Sequence, residues 1–463
     1  MLEWIPDEWR EKYAKYAEWS AWYSGDLDRI KPYYKKGIDS DFHVPIAADL
    51  ASTSANLLFG EAPLFRIPVK DNEQVAERTQ RRLDEIVNQS DMMSRLIEAA
   101  ETCAVLGGVF LKPNWDYGFK SFPVLSVVQA DSALPVFKWG YLTEVRFWTE
   151  IHEDSNRNIY RLIEHHTAGK ITNELYKGDK VSMGVPVPLT TLEQTAYLQE
   201  EINTGLDTIA VRYIPNMKPN RIWRGSSLGV SDYCGSEGLF GALDMTYSSW
   251  MKDIRLGQGR AVIPTSWLER DENGNLVFDT NTEIFTTLDV DPLAGQNMGV
   301  THFQFDVRVQ EHQNTSMELI KNIVSTAGYS PQSFGLEING QAESGTALNI
   351  RERKTIMTRS KKQGYWKTAL EDILEMMLTI DKAINGGDYE VIRPQVDFQD
   401  NMAFDLGLIA DSIYKLNQAQ ALSLKTKVRM IHPDWTEQMV DEEIQNISEE
   451  TGIIGMEVDD IPV

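Results

Sequence analysis

Between Gly345 and about Ile384 the chain runs for ~40 residues without a helix-breaking signal, until Asn385-Gly386-Gly387 ends the stretch. An ordinary helix has ~11–12 residues. The second half carries Trp366, Ala369, Leu370, Ile373, Leu374, Met377 and Ile380 at helical spacing, so it expects a core. The first half is basic and less apolar: Arg351 to Lys367 holds seven basic residues against Glu352 alone. Gly364 lies between the halves and is the expected kink. A helix this long with two different faces must pass through more than one environment. Ser344 is placed to cap its start.

What precedes that helix is equally patterned. Asp232 to Leu256 reads as a helix with Leu239, Leu243, Tyr247, Trp250 and Ile254 on one face, broken by Gly257-Gln258-Gly259. Thr315 to Ala327 reads as another, with Leu319, Ile320, Ile323, Val324 and Ala327 inward. Between them Ala261 to His302 is β-like, and Asp271 to Asn275 is a hairpin signal between Ser266-Trp267-Leu268 and Leu276-Val277-Phe278. Two helices thus flank a β insertion of ~50 residues. Ser231 to Ser330 holds six basic and 14 acidic residues, a net −8. Pro331 to Ser344 is loop-like and has no basic residue.

Residues 1–230 read as an α+β body. Pro6 to Tyr23 is helical, with Trp9, Tyr13, Tyr16 and Trp19 on one face, either packed on its own body or against another subunit. Helices follow at Ile46–Phe59, Gln74–Asn88 and Met92–Leu106, then a stretch of short antiparallel strands to Tyr213. A short strand at Val391–Phe398 and helices at Met402–Leu424 and Trp435–Glu450 complete the chain.

Composition narrows the class. In 463 residues, 69 acids outnumber 45 basic residues, a formal −24. The 42% apolar and 25% charged content excludes a disordered chain, a collagen-like repeat and a coiled-coil rod. Tight, general phosphate binding runs on Lys and Arg, so such acidity argues against it. From Ile431 onward there are ten acids and no Lys or Arg. Cys103 and Cys234 alone give no disulfide framework and no four-cysteine zinc site, and both read as buried small residues. The N-terminus lacks the pattern of a signal peptide. The longest apolar run, Cys103 to Leu111, has nine residues where a membrane span needs ~20, so the expectation is a soluble chain. Twelve Trp, 17 Tyr and 16 Phe are many, and some are expected at subunit contacts.

No nucleotide-binding, nucleophile-elbow or zinc-protease motif is present. His165 and His166, adjacent on a strand, point to opposite faces and read as surface or core histidines. Asp289 and Asp291 share a face if extended, the one hint of a metal-dependent nuclease. Asp397 and Asp400 are expected to cap the turn after the last strand. No metal, cofactor or catalytic residue is expected, and the chain reads as an assembly protein.

Several segments, in order, resemble the portal proteins of tailed bacteriophages, the head-to-tail connectors of the long-tailed type. They are Asp41-Phe42-His43-Val44-Pro45-Ile46 with Leu58-Phe59-Gly60-Glu61-Ala62-Pro63; Ser248 to Arg260; Gly328-Tyr329-Ser330-Pro331-Gln332-Ser333-Phe334-Gly335; Ser344-Gly345-Thr346-Ala347-Leu348 leading to Arg351, Arg353, Lys354 and Tyr365-Trp366; and His432-Pro433-Asp434-Trp435. The likeness implies a wing in 1–230, stem helices in 231–257 and 311–330 around a clip in 258–310, and a tunnel loop in 331–344. It further implies a return to the wing in 345–401 and a helical crown in 402–463.

The family forms rings, usually of twelve, at one capsid vertex, through which double-stranded DNA is packaged and ejected. Terminase docks on the clip, and head-completion proteins and the tail follow. Contacts with major capsid and scaffolding proteins, assembly in the host cytoplasm and a place in the virion are implied, with no membrane and no enzymatic activity. By position, Glu337 and Glu343 would face the channel, with Asn339, Gly340 and Gln341 at the loop's tip. Arg351, Arg353 and Lys354, together with Trp9 and Tyr13, are the candidates for contact with a neighbouring subunit. The alternatives are another head–tail adaptor or minor capsid protein, and a nuclease built on Asp289 and Asp291.

Overall fold

The computed structural model describes residues 5–38, 40–69, 72–116, 118–257, 306–336, 345–398, 406–419, 421–432, 435 and 437–451, and the backbone of four short strands between 260 and 303. The helices are α1 (Asp7–Ser24), α2 (Leu27–Ile30), α3 (Ile46–Phe59), α4 (Glu73–Gln89), α5 (Met92–Leu106), α6 (Glu237–Leu256), α7 (Val309–Ala327), α8 (Gly345–Asn385), α9 (Leu406–Gln418), α10 (Leu424–Ile431) and α11 (Glu437–Thr451). The strands are β1 (Leu64–Arg66), β2 (Gly108–Asn114), β3 (Val124–Gln129), β4 (Ala133–Lys138), β5 (Tyr141–Glu153), β6 (Ile159–Thr167), β7 (Lys170–Gly178), β8 (Val185–Val187), β9 (Glu201–Asn203), β10 (Arg212–Pro215), β11 (Arg260–Val262), β12 (Glu269–Arg270), β13 (Leu276–Val277), β14 (Thr301–Phe303) and β15 (Gln395–Asp397). The mixed α+β class is as expected.

The chain divides into two compact units, one of residues 1–55, 98–112 and 127–328, the other of 56–97, 113–126 and 329–463. The first is built on an antiparallel sheet in the order β4-β5-β6-β7-β8, with β9 also paired to β7. Alternation sets its faces: Val145 and Phe147 of β5 join Phe110, Ala133, Ile209 and Val211 in one apolar cluster, while Tyr160, Leu162 and Leu175 join Leu189 in another. The aromatic face of α1 packs inward, with Trp9, Tyr16, Trp19 and Trp22 buried, Trp9 against Ile5 and Leu228. Helices α6 and α7 bracket the inserted strands, where β11 pairs with β14 and β12 with β13.

In the second unit α8 is the spine. Trp366, Leu370, Ile373, Leu374 and Met377 are buried along it, and the Trp366 ring meets Phe59 edge-on at 4.9 Å. Strand β1 pairs with β15, Phe65 opposite Val396.

Several boundaries differ from the sequence expectation for local reasons. Helix α6 starts at Glu237, not Asp232, because residues 231–236 are turned and pinned: Ser231 Oγ and the Asp232 amide both donate to Ala104 O, at 3.1 and 3.0 Å. Helix α7 starts six residues before Thr315, at Val309. The strand expected at Val391–Phe398 is hydrogen-bonded only at Gln395–Asp397. The single helix expected over Met402–Leu424 ends at Gln418, and a separate helix starts at Leu424, capped by Ser423 Oγ on the Thr426 amide at 3.3 Å. The hairpin is present as β12 and β13, Arg270 opposite Leu276, whereas its expected first arm at 266–268 lies outside the described residues. Among the described residues no helix is long and apolar enough to cross a membrane.

Candidate functional site

The groups with chemical potential are spent on structure. His166 is buried beside Glu164, Nε2 to Oε2 at 3.2 Å, and Lys112 Nζ donates to the same carboxylate. Burial pushes the Glu164 carboxyl up, but His166 and Lys112 outweigh it and hold it at about 2. Burial holds the His166 imidazole below its ordinary value against the pull of Glu164. His165 faces the other way and meets Glu144 at 2.9 Å. Cys103 is buried; Cys234 is half-buried, its thiol pushed up chiefly by burial. Among the described residues no three His, Cys, Asp or Glu side chains gather to hold a metal. Asp289 and Asp291 lie outside those residues. Asp397 ends β15 and its carboxylate accepts from Lys367 Nζ at 3.2 Å, while Asp400 lies outside the described residues.

What the structure does build is a clasped helix pair. Near the last turn of α6, Asp253 accepts from Arg308 twice, Nε at 2.8 Å and Nη2 at 3.1 Å, and meets His312 Nε2 at 2.9 Å. The His312 ring stacks on Trp250 at 5.8 Å, 10° from parallel. Arg308 foremost, then His312, hold the Asp253 carboxyl at about 2. This clasp fastens α6 to α7 at the point where the inserted strands leave and return. It also explains the early start of α7: Arg308 is its N-terminal cap and His312 lies on the added first turn.

Two turns earlier, α6 is gripped again. The buried carboxylate of Asp244 accepts from Tyr34 Oη at 2.9 Å and the Val44 amide at 2.8 Å, and meets His43 Nδ1 at 2.9 Å. Ser40 Oγ meets Ser248 Oγ at 2.6 Å, one turn along the same helix face. The extended segment 40–44 is thereby latched to α6.

The basic half of α8 is only partly outward. Arg359 is buried and donates to Leu57 O at 2.7 Å; Lys362 is buried and donates to Tyr329 Oη at 2.8 Å. Thr355 Oγ1 takes the Ser330 amide at 2.8 Å and meets Ser333 Oγ at 2.8 Å, so the turn at 330–334 is tied to α8. Arg353 and Lys354 are exposed. The side chain of Arg351 lies outside the described set, as do Glu337, Asn339, Gly340, Gln341 and Glu343. Helical bonding continues unbroken through Gly364, where an added Cβ would meet nothing within 4 Å.

Trp9 is buried, and Tyr13 Oη donates to Ala133 O at 3.0 Å while accepting from Trp148 Nε1 at 3.3 Å. Sequence reading missed the exposed tip of the β4–β5 hairpin. Its only signal was a Trp-Gly pair between two strand-like runs.

The model of the family described as "Phage portal protein, SPP1 Gp6-like" matches residues 2–453. No curated protein matches. Among solved structures, a chain from the neck of a native gene transfer agent particle computed with C12 symmetry has 11% identity and a TM-score of 0.43, covering 84% of this chain and 89% of that one. A chain from the neck of an empty particle computed with C6 symmetry has 11% identity and a TM-score of 0.46, covering 84% and 90%. A chain from the native virion particle has 11% identity and a TM-score of 0.42, covering 92% and 94%.

Proposed function

The chain belongs to the phage portal proteins of the SPP1 Gp6-like family, and from that membership we propose that it closes into a twelve-membered ring at one capsid vertex. Portal proteins are structural components of the DNA-packaging channel and not enzymes. The observation that carries the reading is the family match over residues 2–453, nearly the whole chain. A short adaptor or a nuclease accounts for no such match.

On this reading residues 1–230 and 345–401 form the wing, 231–257 and 311–330 the stem, 258–310 the clip, 331–344 the tunnel loop and 402–463 the crown. The clasp of Asp253 with Arg308 and His312 supports the stem assignment, because it joins the two helices at the base of the insertion. The clip receives terminase during packaging and head-completion or adaptor proteins afterwards. The wing meets major capsid and scaffolding proteins, and the ring ends in the virion after assembly in the host cytoplasm. Double-stranded DNA passes the tunnel loop, with Glu337 and Glu343 toward it and Asn339, Gly340 and Gln341 at its tip.

A net −24 per chain suits a conduit. Acidic walls repel phosphate within a screening length of ~8 Å at physiological salt, where a basic wall would hold DNA by counterion release. Arg353 and Lys354, exposed on α8, are on this reading the candidates to meet a neighbouring subunit's acids.

Light scattering on the purified chain tests the ring, with end-on views in negative stain. A ring of twelve 52.6 kDa chains has a mass of about 630 kDa and must have a central hole wider than a ~20 Å duplex. A closed dimer without a hole refutes the reading.

A further inference from the structure

The tip of the β4–β5 hairpin places a tryptophan where nothing in its own chain wants one. Lys138 and Tyr141 are paired across the ladder, and the two residues between them both have positive φ, Trp139 at 54° and Gly140 at 87°. That is a two-residue turn of the type that favours Asn-Gly. A bulky residue held left-handed costs about 1–2 kcal/mol. The indole is also 88% exposed, and Tyr141 beside it is 78% exposed. Neither backbone preference nor burial explains the choice. The Lys138 ammonium lies 4.7 Å from the indole centroid, and from Ala133 to Thr143 there is no acid. The tip is thus an apolar, basic island on an acidic protein.

The far side of the same sheet carries the complement. β4 and β8 are its opposite edges. On β8 Val185 is 62% exposed, and the segment from β8 to β9, which also pairs with β7, exposes Tyr197 at 68% together with Glu193 and Glu200. Both edges contain proline, Pro135 in β4 and Pro186 in β8, which blunts backbone pairing between chains. Contact between such edges runs through side chains. A ring is closed by one heterologous contact repeated around an axis, so two different patches on each chain must fit each other.

We propose that the Trp139–Tyr141 tip of one protomer seats on the β8 edge of the next copy of this chain, around Val185 and Tyr197, with Lys138 facing Glu193 and Glu200. The proposal rests on the ring reading and adds to it a named contact. A tryptophan anchor with a basic neighbour is the composition expected at a binding hot spot.

Two measurements on the full-length chain test this. Trp139→Asn makes the turn Asn-Gly, so its melting temperature should match or exceed that of the parent. Its concentration for half-assembly, read by light scattering, should rise about tenfold or more. Second, benzoylphenylalanine installed at position 139 and irradiated in assembled rings should give a ladder of covalent multimers, with the adduct mapped by mass spectrometry to residues 181–201. Rings that form normally with Trp139→Asn and yield no such ladder overturn the tip contact alone and leave the ring reading standing. Cross-linking to a different virion protein overturns it equally. A parent chain that forms no ring at any concentration overturns both.

Discussion

Replacing Arg82 by Met tests how the second unit is held together. Asp381 of α8 is fully buried and accepts four hydrogen bonds: from Arg82 Nε at 2.8 Å, Arg82 Nη2 at 2.7 Å, Asn385 Nδ2 at 2.8 Å and Tyr389 Oη at 2.7 Å. Burial alone would raise this carboxyl; Arg82, Tyr389 and Asn385 outweigh it and hold it below the ordinary range. Arg82→Met removes two of the four bonds and the one charged group among these three partners. An unpaired buried charge costs about 3–5 kcal/mol. The Arg82 side chain is 26% exposed, so water reaches the gap, and about 3 kcal/mol is the better figure. At about 2–4 °C per kcal/mol, thermal unfolding should shift down by about 6–12 °C at pH 7.

The pH dependence gives the sharper readout. In the parent the depressed carboxyl stabilises the fold above its unfolded value of about 3.9, and that stability is lost as pH falls through the lower folded value. In the variant burial acts without the guanidinium, so the folded carboxyl rises above its unfolded value and the sign reverses. The gap between parent and variant should therefore narrow as pH falls from 7 toward 4. The double change Arg82→Met with Asp381→Leu should recover most of the loss, because Tyr389 Oη still reaches Leu378 O at 3.2 Å and Asn385 still reaches Ser121 O at 2.6 Å. A single-variant loss below about 1 kcal/mol, equal at pH 5 and pH 7, would refute the reasoning.

Three further outcomes are expected. The Asp253 carboxyl, followed by its carbon shift in NMR, should titrate near 2, so its clasp persists above that and is lost only as pH falls through it; Arg308→Ala should move the midpoint toward the ordinary carboxylate value, and an unmoved midpoint contradicts the assignment. Thr355→Val leaves the buried Ser330 amide without its 2.8 Å acceptor and should cost about 1–3 kcal/mol, read as faster hydrogen exchange at Ser330 than in the parent. Gly107→Ala should destabilise by about 2 kcal/mol or more in a thermal melt, because φ is +81° and the new Cβ would lie 2.8 Å from Ser231 N; a neutral melt would mean the backbone there can shift.

Much of this fold was legible because long amphipathic helices announce themselves. Ile46–Phe59 and Met92–Leu106 are found where spacing puts them, and α8 runs within a residue of its expected end. Two of the misses share one cause, which is that tertiary partners move boundaries. Residues 232–236 have helical spacing, yet the Asp232 amide and the neighbouring Ser231 hydroxyl donate to Ala104 O and the segment leaves the helix. Residues 309–314 look weak as a helix, yet Arg308 and His312 gain Asp253 by extending it. The basic run of α8 was legible as charge but not as direction. Arg359 and Lys362 turn inward to Leu57 O and Tyr329 Oη, partners distant in sequence. The aromatic face of α1 was legible as a face, and its burial against Leu228 shows the half of that expectation that folding within one chain satisfies.

This inward turning bears on the conduit. Acidity would say little about a channel if folding hid the acids and displayed the bases. Among the described residues the buried charges are Lys112, Arg161, Arg359 and Lys362 against Asp232, Asp244 and Asp381. Among these residues burial removes slightly more positive charge than negative, so it does not hide their acidity. The cost of burying a charge explains the choice of partners: each of these carboxylates and ammonium groups has hydrogen-bonded company that a solvated acid does not need. A surface left this acidic is held apart from DNA beyond the few ångströms of screening, and two such chains repel each other at a distance too. Ring closure then has to come from short-range contacts that are locally apolar or basic. The hairpin tip with Lys138, Trp139 and Tyr141 is such a contact, and raising ionic strength should favour assembly by screening the long-range repulsion while leaving the apolar contact intact. Assembly that weakens steadily with salt, measured by light scattering, would instead mean that ion pairs, such as Lys138 with Glu193 and Glu200, outweigh the apolar contact at the interface.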